Sequence, residues 1–346
     1  MLDKPGKVQP MNTHLLVTAP LGLLPVLVFL GVLMYMDSYK LVRPRLVLGV
    51  IGAGCLLAVA GYFVNSALRD LFDLSITSLS RYVGPITEEA LKALVIVYLL
   101  RNCRIGFLVD SAILGFAVGT GFALGENLYY LASPEHGHHA IWVVRGFGTA
   151  IMHGGATAIF AVLTQVFSDR HLHVSPLACI PGLAAAIAVH SLFNHFVLPP
   201  VQMTLLFLTT LPALLYGVFI LSASHLHHWL ELDFDDDAQF IRQLTSGQFG
   251  ATRAGQFMAD LKAHFDGPVL VDMLCYLRVY TELALRAKGL LMMRQNGLEV
   301  PVDAQIREKF AELEHLETSI GRTGLLAIRP LLHMNRKDLW QLSVLD

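Results

Sequence analysis

The sequence predicts an all-α protein, a polytopic bundle of about seven transmembrane helices followed by a soluble helical domain. Three observations lead to this class. Hydrophobic residues make up 54% of the 346 positions and charged residues only 15%, with a mean hydropathy of +0.56. Apolar runs of roughly 20 residues, the length that crosses a bilayer, recur through the first two-thirds of the chain. Beyond them, charges mix with apolar residues at helical spacing.

The spans are read at 14–36, 46–66, 86–101, 106–132, 141–168, 176–197 and 201–223, which makes residues 1–223 the membrane domain. Lys4 and Lys7 precede the first run, which is longer than a signal-peptide core and has no small-residue cleavage site, so it reads as a retained anchor. Segment 67–84 interleaves Arg69, Asp70, Asp73 and Arg81 with Leu, Phe and Ile, as an interfacial helix or loop would. Gly115, Gly119, Gly121 and Gly125 in the fourth span, and Gly146, Gly148, Gly154 and Gly155 in the fifth, let helix backbones approach closely, which places both inside the bundle. After Ser224, His225, His227, His228 and Asp235–Asp237 mark an exit into water. Residues 224–346 then read as a soluble helical domain with no catalytic motif. Leu270, Met273, Leu274 and Leu277, and later Phe310, Leu313 and Leu316, supply its apolar stripes.

Lys and Arg bias is modest. Lys40, Arg43, Arg45, Arg101, Arg104 and Arg170 lie on the side of the C-terminal domain, against Lys4, Lys7, Arg69 and Arg81 on the other. The positive-inside rule therefore puts the N-terminus outside and the C-terminal domain in the cytoplasm. A net charge of −2 offers no electrostatic footprint for nucleic acid. Cys55, Cys103, Cys179 and Cys275 have neither zinc-knuckle nor disulfide-framework spacing. His136, His138, His139, His171 and His173 read as solvated loop residues.

Polar residues that lipid would not tolerate without a reason fall on four spans. They are Glu88, Glu89 and Lys92 on the third, Glu126-Asn127 on the fourth, Arg145 and His153 on the fifth, and His190 and Asn194 on the sixth. Taken alone, Lys92 pairs with Glu88 at i,i+4. Helix direction alternates through a serpentine bundle, so starts of odd spans and ends of even spans share one leaflet, and all four sets meet there. His153 lies about 12 Å deeper than Arg145 at 1.5 Å per residue. Carboxylates and imidazoles gathered in one leaflet mark a functional site. A Glu with a His supplies a general base for water, and imidazole and amide N–H groups can stabilise an oxyanion. Equally, His153, His190 and Glu126 form an adequate ligand set for a catalytic zinc with one open position. His-Glu-x-x-His, Gly-x-Ser-Gly, Gly-x-Gly-Asp and Walker signatures do not occur.

Glu88-Glu89-x-x-Lys92, Gly-Phe-Ala-Leu-Gly-Glu126-Asn127, Arg145 with His153, and His190-Ser-Leu-Phe-Asn194, in order on consecutive spans, resemble the PrsW family of intramembrane proteases. The resemblance to the CAAX prenyl endopeptidase and bacteriocin-processing superfamily is more distant, and those enzymes have Arg where this chain has Lys92. The resemblance implies a hydrolase of the bacterial cell membrane that cleaves a membrane-anchored protein, an anti-sigma factor in some members. It implies catalytic roles for Glu88, Glu89, His153 and His190. Glu88 foremost would activate water with His153, while His190 and Asn194 bind the oxyanion and Glu126 completes the set. It leaves open a metal-free glutamate mechanism or a zinc one. Two other classes stand beside it. An ion or proton transporter would spread its polar residues across the bilayer and show an internal repeat. A membrane scaffold for the C-terminal domain would need neither Glu88 nor His153.

Overall fold

The structure, a computed structural model, describes residues 11–132, 139–168, 174–298, 304–332 and 336–345. Lys4, Lys7, His136, His138, Arg170, His171 and His173, used above for orientation or as loop histidines, lie outside the described residues. The elements are α1 (Met11–Met36), α2 (Pro44–Phe72), α3 (Ile76–Ser78), α4 (Gly84–Arg101), α5 (Leu108–Ala132), α6 (His139–Val143), α7 (Ala150–Ser168), α8 (Pro176–His195), α9 (Pro200–Thr245), α10 (Arg253–Asp260), α11 (Gly267–Gln295), α12 (Ala304–Ile328) and α13 (Arg336–Leu342). No strand occurs among the described residues. The all-α bundle class therefore holds.

Among the described residues, six helical stretches are long and apolar enough to cross a membrane: Leu15–Met36, Pro44–Phe72, Leu108–Ala132, His139–Ser168, Pro176–His195 and Pro200–Thr245. The remaining stretch read from the sequence, the third, is α4, an 18-residue helix. Glu88, Glu89, Lys92 and Arg101 take it out of that apolar class, and it is held instead by the helices around it. The close-packed centre is α5, whose first sixteen residues from Val109 are nearly all buried. Its glycines make this possible. A Cβ on Gly121 would stand 2.1 Å from the Ile51 carbonyl of α2, and one on Gly119 would stand 2.2 Å from the His153 carbonyl of α7. Backbone thus meets backbone on both sides of α5, which fixes the height of α7 against it.

Two stretches of wide, π-type helix precede the helices that carry site residues. In Leu79–Val83 the Gly84 N–H reaches back to the Leu79 carbonyl. In Val144–Thr149 the Ala150 N–H reaches back to the Arg145 carbonyl. Such widened turns leave carbonyls short of donors and often sit at functional sites. Pro85 adds to this, because it has no N–H for the carbonyls four and five residues before it. Those carbonyls, Arg81 and Ser80, are taken by α8: Ser191 Oγ donates to Arg81 (2.7 Å) and Asn194 Nδ2 to Ser80 (2.9 Å).

At the other end of the bundle a second apolar core forms around α11, with Leu226 and Leu230 of α9, Trp340 of α13 and Tyr39 and Phe107 of the bundle loops. The sequence reading placed a boundary at residues 223 and 224, where the composition turns polar. The helix runs on through it to Thr245, because nothing before Gly247 breaks it. Buried Lys288 on α11 pairs with Asp237 on the polar part of α9 at 2.7 Å. Asp37, which follows α1, accepts from the Leu41 and Val42 N–H groups, and burial raises its carboxyl above the usual range.

Candidate active site

Helix direction brings the start of α4, the end of α5, the start of α7 and the end of α8 to one end of the bundle, and five charged or imidazole groups interlock there. Glu89 is buried and its Oε1 accepts from Lys92 Nζ at 2.5 Å and from His190 Nδ1 at 2.7 Å. The ammonium also donates to His153 Nδ1 (3.2 Å), and His153 Nε2 donates to Glu126 Oε2 (3.1 Å). These tautomers follow from the network, since a carboxylate can only accept and an ammonium can only donate. The two imidazoles meet edge to face with centroids 4.8 Å apart. Phe122 closes one side, 5.1 Å from the His153 ring and with Lys92 Nζ 4.9 Å from its centroid.

The paired carboxylates are not equivalent. One turn of helix carries both, yet consecutive residues differ by about 100° around the axis. Glu89 turns inward to Lys92 and His190. Glu88 turns toward α2, where Asn65 Nδ2 donates to its Oε1 at 3.0 Å, and its Oε2 stands 3.9 Å from His190 Nε2. The Glu88 side chain keeps 18% of its exposure, against 1% for Glu89. Lys92 accordingly pairs with Glu89 at i,i+3, where the sequence reading paired it with Glu88.

Glu126 is held from outside. Arg145 Nη2 is 3.2 Å from its Oε1, and Arg145 Nε donates to Asn127 Oδ1. Asn127 in turn donates to the Gly22 carbonyl of α1. The Tyr130 ring packs on the Arg145 guanidinium at 3.8 Å. Three carboxylates against Lys92 and Arg145 leave the cluster with a formal charge of −1 while both imidazoles are neutral.

Of the residues chosen from the sequence, Glu88, Glu89, Glu126, His153 and His190 lie together. Asn194 does not join them; its amide is committed to the Ser80 carbonyl, which Pro85 leaves without a donor. The three residues whose ligand atoms converge, within 4.8 Å of one another, are Glu88, His153 and His190. Glu88 stands there in place of Glu126, whose two oxygens face Arg145 and His153 Nε2. Asn65 went unnoticed in the sequence, although it is a lone amide near the end of an even-numbered span and the leaflet rule puts it with the others.

No curated protein and no solved structure gave a significant match to this chain. The model for "PrsW family intramembrane metalloprotease" matches residues 42–223, which takes in every helix of the site and more than half of the sequence. This multi-pass integral membrane protein belongs to the PrsW family of intramembrane proteases.

Proposed function

We propose that the chain is an endopeptidase that hydrolyses a peptide bond of a membrane-anchored protein with water activated at Glu88. The observation that carries this reading is the division of labour between the two adjacent carboxylates. Glu89 is spent on Lys92 and His190, while Glu88 keeps an oxygen facing His190 Nε2 across 3.9 Å. That separation suits one bridging water rather than a direct bond.

In the proposed reaction, Glu88 Oε2 takes a proton from this water as the oxygen adds to the scissile carbonyl carbon. The carbonyl π electrons move to oxygen, and the nearby Lys92 ammonium favours the negative charge electrostatically. His190, whose Nδ1–H is held by Glu89, passes the proton from Glu88 to the leaving nitrogen through Nε2. The C–N bond then breaks to give a carboxylic acid and an amine, and the acid releases its proton to the amine or to solvent. Glu89 acts on His190 as an orienting carboxylate acts on a catalytic histidine. His153, bonded at both nitrogens, fixes Lys92 and Glu126 in place.

Glu88, His153 and His190 also fit a zinc ion: one carboxylate and two imidazoles match a catalytic donor set. Carboxylates Glu89 and Glu126 on the second nitrogens match the outer contacts such ligands use. His153 would then offer Nδ1 in exchange for Lys92. When bound, the ion would supply Lewis acidity to the water and the carbonyl.

Orientation follows the charge bias, with the site at the extracytoplasmic end and residues 224–346 in the cytoplasm of a bacterial cell membrane. An anti-sigma-factor-like protein is the substrate class proposed. The test uses proteoliposomes containing wild type, Glu88→Gln or His190→Ala, incubated with a library of single-span membrane protein reporters, with and without 1,10-phenanthroline. Wild type alone cleaves a reporter. Inhibition reversed by added zinc assigns the metal form, and insensitivity assigns the glutamate form. A library left intact by wild type, or cleaved equally by Glu88→Gln, contradicts the proposal.

A further inference from the structure

Asn65 reaches the site from α2, outside the four helices that carry its charges. Its amide is used at both ends. Nδ2 donates to Glu88 Oε1 at 3.0 Å, and Oδ1 accepts from Thr87 Oγ1 at 2.5 Å. The chemistry sets this orientation, because a carboxylate offers no hydrogen and the Thr87 hydroxyl has one to give; the Gly84 and Val83 carbonyls also stand within its reach, at 3.0 and 3.2 Å, and Asn65 Oδ1 is the shortest of the three contacts. Gly84 borders the contact: a Cβ there would lie at ordinary contact distance, 3.5 Å from Glu88 Oε1 and 3.8 Å from Asn65 Nδ2. Gly61, one turn before Asn65 on the same face of α2, lines the Glu88 stem, with Cγ 3.8 Å from where its Cβ would lie.

We infer that Asn65, locked by Thr87, is a positioning residue that clamps one oxygen of Glu88 so that the other faces His190 and the reacting water. This inference rests on the reading of Glu88 as the base. A Glu side chain has three torsions and, without the clamp, would be free to turn its carboxylate about its stem. Asparagine meets the requirement because it both donates and accepts within one planar group. Aspartate would set a second carboxylate against Glu88, and leucine would offer neither bond. The acceptor side matters as well, since Thr87 fixes the amide plane from the residue adjacent to Glu88.

The test is steady-state cleavage, in proteoliposomes of the full chain, of the single-span reporter that wild type cuts fastest. Misplacing a reacting group by about 1 Å can lower the rate on the order of 100-fold. Asn65→Ala should therefore reduce kcat about 10- to 100-fold, with KM within about twofold and the thermal midpoint in detergent unchanged. Thr87→Val should lower kcat less, Thr87→Ser should restore it, and the Asn65→Ala/Thr87→Val pair should be no slower than Asn65→Ala alone. Full kcat in Asn65→Ala, or a loss that appears only in KM or in the thermal midpoint, overturns the clamp while Glu88→Gln remains inactive. Activity retained in Glu88→Gln instead overturns the reading of Glu88 on which the clamp depends, and the clamp with it.

Discussion

At the scale of single residues, two adjacent glutamates stand in different surroundings, and the proposed reaction gives them different duties. Burying a charge is tolerated when it is paired and hydrogen-bonded, and removing one partner leaves the other stranded. Glu89 and Lys92 are such a pair, with side chains 1% and 0% exposed. Lys92→Met is expected to destabilise the protein by about 3–5 kcal/mol, read as a lower thermal or denaturant midpoint in detergent. Glu88→Gln, by contrast, keeps the bond from Asn65 and should leave that midpoint in place while cleavage disappears. The sequence declared both carboxylates, the lysine and the two histidines, because ionisable groups in an apolar run have few structural uses. It could not say which glutamate turns inward, since that depends on where α2 and α8 stand around α4. Asn194 shows the same limit from the other side. Its spacing from His190 puts both on one helix face, but Pro85 frees the Ser80 carbonyl nearby and takes the amide away from the cluster.

At the scale of elements, the site depends on how closely α5 lies against its neighbours. Gly119 has no room for a side chain, with the His153 carbonyl 2.2 Å from its would-be Cβ. Gly119→Ala must push α7, and His153 with it, away from α5; an overpacked core position costs about 1–3 kcal/mol. The control is Gly217 on α9, where a Cβ meets nothing within 4 Å. Gly217→Ala should hold or slightly raise the thermal midpoint and keep activity, and Gly119→Ala should lower both. Small residues at four-residue spacing made this packing legible from the sequence. The π-type turns before α4 and α7 were not legible, because they come from the competition of two hydrogen-bond registers rather than from any residue pattern. Composition alone singles out six spans, not seven, among the described residues for a related reason. α4 has the length of a short span, but its charges exclude it on composition, and the surrounding helices shelter it.

For the molecule as a whole, the candidate site and the C-terminal domain sit at opposite ends of α5. Gly106, just before the helix, packs under Trp340, with the indole Cδ2 2.3 Å from its would-be Cβ. Glu126 is twenty residues further on, about 30 Å at 1.5 Å per residue. Arg43 reinforces the same junction by donating to the Ser343 and Val344 carbonyls. Removing a buried Trp side chain costs about 3–5 kcal/mol. Trp340→Ala should loosen this junction, seen as faster release of a C-terminal fragment in limited proteolysis, while reporter cleavage stays within about threefold of wild type. The change of composition after residue 223 was visible in the sequence. The continuity of α9 through it was not, because helix-forming residues occupy both sides of the boundary.

The proposed reaction requires Glu88, and not Glu89 alone, to activate water. The most direct measurement is single-turnover cleavage of the fastest reporter by wild type and by Glu88→Gln in the same proteoliposomes, with both proteins first shown to share one thermal midpoint. The amide variant should be slower by about two to four orders of magnitude, in keeping with the loss of a general base. A Glu88→Gln enzyme that cuts within tenfold of wild type would contradict it.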